Sequence, residues 1–106
     1  MGLFIAQMRL AQINSYRSDL EYKIQLISTT RMDLSAQINE MVNLGADSDP
    51  DSAEMKALEK KKERLHQAEK ALDAKLQRYQ QQLEMINAEE QSVKQMLSQS
   101  IQRIYA

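Results

Sequence analysis

The chain has 106 residues with no Cys, one His, two Gly, one Pro and a formal net charge of −1; 42% of it is hydrophobic, 27% charged and only 5% aromatic. Such proportions belong to long, water-exposed helices in a single domain, since so few turn formers cannot serve the many connections of an all-β or α/β fold. They exclude a disulfide framework and thiolate or polyhistidine metal centres, give no general field for nucleic acid, and leave no run of about eighteen apolar residues to span a membrane.

The opening Met1-Gly2-Leu3-Phe4-Ile5-Ala6 carries neither the charged and apolar regions of a cleavable signal peptide nor the Ser or Thr that N-myristoylation wants where Ala6 stands. With Arg9 as its one basic neighbour, this apolar stretch suits burial against protein better than a membrane interface. From there Ala6, Ile13, Leu20, Ile27, Leu34 and Met41 recur every seven residues. Taken as heptad position d, they place Leu10, Ile24 and Ile38 at a, with Arg17 and Arg31 filling the two remaining a places. Roughly six heptads predict a helix over about 3–44 in a left-handed coiled coil.

The breaker signals gather in Asn43–Ser52. Gly45 suits a left-handed residue just past a helix, Asp49 a capping carboxylate, and Pro50 a first helical position, with Asp51 and Glu54 acidic in the first turn. This predicts a turn over 45–50, centred on Ser48. A second helix over about 51–105 then carries Leu58, Leu65, Leu72, Tyr79, Ile86 and Val93 at d. Met55, Leu76, Leu83, Leu97 and Ile104 stand at a, interrupted by Lys62, Glu69 and Glu90. So short a link permits only an antiparallel pairing, so the expected fold is all-α: residues 1–106 as one two-helix antiparallel coiled-coil hairpin, assembling into a larger bundle or filament.

With a set opposite d, residue i faces residue 96 − i, which pairs Leu10 with Ile86 and Leu3 with Val93. Arg31 then lies one layer from Glu69. Arg17 lies opposite Tyr79, to stack on the ring or to carry its head out to water along a packed stem. In that register everything from about Gln95 onward has no partner in its own chain, which leaves Leu97, Ile101, Ile104 and Tyr105 uncovered. Phe4, Ile5, Met8, Tyr22, Leu26 and Met32 fall outside a and d on the back of the first helix. Apolar surface beyond the seam marks a partner face. The self-association set is therefore Phe4, Ile5, Met8, Tyr22, Leu26, Leu97, Ile101, Ile104 and Tyr105, and the expected partner is a further copy of the chain, with a helical partner protein as the alternative.

No residues converge on chemistry. His66 has no second ligand or acid beside the seam, and Lys60-Lys61-Lys62 with Arg64 is threaded by Glu59 and Glu63, as a solvated face would be. Gln80-Gln81-Gln82 is compatible with a helix. No nucleophile, base and orienting group share a face, so the expectation is a non-enzymatic protein without cofactor or metal.

One long helix, a short acidic Pro-bearing turn (Asp47-Ser48-Asp49-Pro50-Asp51) and a second long helix resemble the needle and filament subunits of type III secretion systems. That resemblance implies a helical-hairpin protomer of a tubular assembly, exported without a cleavable signal peptide to the cell surface; the residues alone leave a cytoplasmic coiled-coil adaptor or chaperone open beside it.

Overall fold

The computed structural model describes residues 2–46 and 49–105, with side chains through 104. Two α-helices form an antiparallel hairpin, α1 over Gly2–Gly45 and α2 over Ala53–Tyr105. Both run without interruption because the breakers sit only at their ends. Contacts divide the chain into two compact units: Gln25–Gln77, which contains the turn, and Met1–Ile24 with Arg78–Ala106.

In the turn unit the connection is built differently from the sequence expectation. Ser48, the expected centre, lies outside the described residues. No residue has a positive φ among those described, so Gly45 is not a left-handed cap; it is the last helical residue of α1. Glycine fits there by close approach: a Cβ would stand 3.1 Å from Leu58 Cδ2 and 3.2 Å from Met55 Cε, so a larger residue would press on both side-chain ends. The Ala46 N–H closes the helix end on the Asn43 carbonyl at 3.4 Å. On the other side Pro50 precedes the helix instead of opening it, and α2 starts two residues later than expected. Its cap is Ser52, whose hydroxyl accepts the Met55 N–H at 3.1 Å and donates to the Asp49 carbonyl at 2.9 Å. The Asp49 carboxylate accepts the Asp51 N–H at 3.1 Å, an Asx turn leading into that cap.

The seam residues match the heptad assignment. The buried side chains are Ala6, Ile13, Leu20, Ile27, Ile86 and Val93 at d and Ile38 at a, and Ile13 and Leu20 are only 1% exposed. In the unit that holds the chain's two ends, Ala6, Ile13, Ile86 and Val93 form the core cluster, with Leu10 and Leu97 packed against it. The turn unit buries less completely, with Leu58, Leu65 and Leu72 half-covered. Its a positions include Arg31, Lys62 and Glu69, whose heads must stay wet.

The register, however, is not 96 − i. Partner numbers across the seam sum to 98 for Arg9–Glu89 and Tyr16–Gln82, 104 for Arg31–Asp73 and Ser35–Glu69, and 107 for Arg17–Glu90. Gly2 lies against Ser100, and Gly45 against Met55 and Leu58. The helices are thus slid by about one heptad, roughly 10 Å, from the expected pairing. Gly45 at a meets Leu58 at d with a sum of 103, while the flanking pairs scatter around it with the reach of their side chains. Sliding by a heptad returns a to d, so the apolar pattern tolerates either register; the fit at Gly45 and the ion pairs along the flanks hold this one.

Candidate interaction surface

The polar seam positions organise the flanks of each unit. In the unit with the chain ends, Arg17 does not stack on Tyr79. Its Nε donates to Asn87 Oδ1 at 3.0 Å, and its Nη2 donates to the Glu90 carboxylate, which Lys94 also approaches at 3.5 Å. The hydrogen bond from Arg17 holds the Glu90 carboxyl below its ordinary value; partial desolvation opposes this, and the charges of Arg17 and Lys94 add to it. Lys23 takes the place over the Tyr79 ring, 5.8 Å from its centroid, while pairing with Asp19 at 2.9 Å. That hydrogen bond and the Asp19 charge raise the Lys23 pKa, against desolvation. Arg9 pairs with Glu89 through its Nε at 2.6 Å, and Tyr16 donates to Gln82 at 3.4 Å. These residues border a shallow groove floored by Ile13 and Ile86, with Met85 exposed on its α2 rim. In the turn unit Arg31 pairs with Asp73 at 2.6 Å in place of Glu69, which accepts the Ser35 hydroxyl at 3.0 Å.

Of the expected association residues, Phe4, Ile5, Met8 and Tyr22 stand exposed on α1 in the unit with the chain ends, Tyr22 by 65%, and Leu26 stands exposed in the turn unit. Ile101 and Ile104 are exposed near the end of α2. Leu97 is corrected: it packs on the Ala6–Val93 cluster, because the slid register brings it alongside α1. The segment reaching past Gly2 therefore begins after Ser100, not at Gln95. The Tyr105 side chain lies outside the described residues. Met85 and Tyr16 were not singled out by the heptad reading; Tyr16 flanks the seam at g and Met85 stands further out at c, where a pattern built on a and d carries no signal.

The outermost line of α1 is more telling than any single residue. Heptad positions b and f hold Phe4, Met8, Ala11, Ser15, Ser18 and Tyr22, and then, in the turn unit, Gln25, Thr29, Met32, Ala36, Asn39 and Asn43. All twelve are exposed and none is charged, where the chain's average composition would give about three charges. The same line on α2 carries Lys56, Lys60, Glu63, Lys70 and Glu84.

Among the described residues no group of His, Cys, Asp and Glu gathers to hold a metal ion, and no described helix is long and apolar enough to cross a membrane. His66 lies exposed beside Glu59 and Glu63. No family model, curated protein or solved structure matches the chain.

Proposed function

We propose that the chain is a non-enzymatic, self-assembling structural subunit, a helical hairpin that finishes its packing against further copies of itself and builds a filament or needle-like assembly. One observation carries this reading: Phe4, Ile5, Met8, Tyr16, Tyr22, Met85, Met96, Ile101 and Ile104 are all exposed in one unit of the hairpin. A seam of one stripe per helix cannot cover them, and large apolar side chains gathered on a small helical unit mark an interaction surface. Each one removed from water contributes about 1.5–3 kcal/mol before ordering costs, so a few suffice to hold a protomer in place. The needle-subunit resemblance supplies the setting, a secretion apparatus.

The exposed Ile101 and Ile104 near the end of α2 favour a second reading, in which that helix docks in a groove of a different protein and the hairpin is an adaptor or chaperone. Purified chain at rising concentration separates the two. A structural subunit passes from small species to polymers visible by negative-stain microscopy and sedimentation velocity. An adaptor stops at a small oligomer, and a chain that stays monomeric throughout refutes self-assembly.

A further inference from the structure

From the outer line of α1 we infer that residues 4–22 form a two-fold symmetric, antiparallel interface with a second copy of the same chain. The inference rests on the self-assembly reading and names the first contact within it; a two-fold contact closes on itself, so growth to a polymer needs a further, different contact between such dimers. Phe4, Met8, Ala11, Ser15, Ser18 and Tyr22 follow one another at intervals of 4, 3, 4, 3 and 4 residues, a second heptad seam on the face opposite the hairpin's own. All six are exposed and none is charged.

The order of sizes along this seam decides what covers it. A two-fold axis at the level of Ile13 brings Phe4 of each copy against Tyr22 of the other, Met8 against Ser18, and Ala11 against Ser15. One axis serves all six positions. It sets a large side chain against a small one in the Met8 layer, small against small in the middle, and ring against ring at both ends, a pairing that gains beyond the area it buries. Position b faces f throughout, the outward counterpart of a facing d in an antiparallel coil. A surface that complements itself needs no foreign partner, and in a two-fold dimer every contact is made twice.

Charge and size agree. The outer line of α2 over the turn unit, with Lys56, Lys60, Glu63 and Lys70, would leave its charges without partners against this seam. From Gln81 to Gln102 the same line holds one charge, Glu84, and no large apolar side chain, so it offers Phe4 and Tyr22 no ring to meet.

The experiment is a charge-pair exchange read by sedimentation equilibrium, with helicity followed by circular dichroism. Met8→Glu and Ser18→Lys each place two charges in the dimer seam and nothing in the hairpin seam, so each variant alone keeps its helicity and weakens dimerisation at least tenfold. Mixed one to one, they meet Glu against Lys in one layer and the native pair in the other, and the dimer returns as a heterodimer. Variants that dimerise like wild type, a mixture that stays monomeric, or loss of helicity in either variant would overturn the assignment. If wild type forms oligomers that the substitutions do not touch, the face is wrong and the self-assembly reading survives. If wild type is monomeric at high micromolar concentration, both fail, and co-flotation of that monomer with phosphatidylglycerol vesicles would give the face to lipid instead.

Discussion

Because the chain contains no Cys, one engineered disulfide can read its register without background. A Cβ built on Gly2 stands 3.4 Å from Ser100 Oγ, close to the distance of about 3 Å that separates a Cβ from the opposite sulfur in an unstrained bridge. Gly2→Cys with Ser100→Cys should therefore close within one chain. With Gly2 beside Ser100, Leu3 stands about six residues, or roughly 9 Å along the axis, from Val93, its partner under 96 − i. That is beyond the Cα separation of about 4.4–6.8 Å that a disulfide spans, so Leu3→Cys with Val93→Cys should stay reduced. The bridge closes a loop of about 100 residues and stabilises by up to about 4.7 kcal/mol in the chain-entropy account. Since the two cross-linked residues sit near a helix end that can fray, a third of that is a fair expectation, raising Tm by about 6–12 °C. Oxidation at low concentration, followed by intact mass, non-reducing electrophoresis of the monomer band and thermal melts with and without reductant, gives the answer. Closure of the Leu3/Val93 pair while the Gly2/Ser100 pair stays open would refute the slid register.

Burial separates seam from surface: Ile13→Ala and Leu20→Ala should each cost about 2–5 kcal/mol in urea titrations, whereas Leu44→Ser, outside the seam and exposed, should stay within about 0.5 kcal/mol. Ser52→Ala removes the cap of α2 and should cost about 1 kcal/mol, with faster hydrogen exchange confined to the amides just after Ala53. Glu90 titrates below its ordinary 4.5 in the folded chain because Arg17 donates to it. Its stabilisation is therefore complete above about pH 4.5 and is lost as pH falls through the lower folded value. Glu90→Gln should remove that part of the acid dependence of stability, and a stability profile identical to wild type below pH 4.5 would contradict the pairing.

The sequence by itself determined that there are two helices, where they break, and which residues line the seam, because a period of seven carried by Leu, Ile and Met admits no other fold for so little Gly and Pro. Ile13, Leu20, Ile86 and Val93 are buried where the heptads put them. It also contained the charge-free line from Phe4 to Tyr22, legible once the inward positions were known. What it could not determine was the register, since sliding one helix by a heptad maps every a and d onto another a and d and leaves the apolar pattern unchanged. Only the tertiary structure decided that. Gly45 gives Met55 and Leu58 room to pass, Ser52 rather than Asp49 starts α2, and Arg17 reaches Glu90 and Asn87 instead of Tyr79. The Ser52 cap is local, but Ser and Asp cap equally well, so composition does not choose between them. The other contacts join the two helices, and their geometry depends on the link's conformation and on side-chain reach, quantities that a repeat of seven does not encode. The same slide covers Leu97 and leaves Ile101 and Ile104 exposed, so the extent of surface left for a partner was a tertiary decision as well.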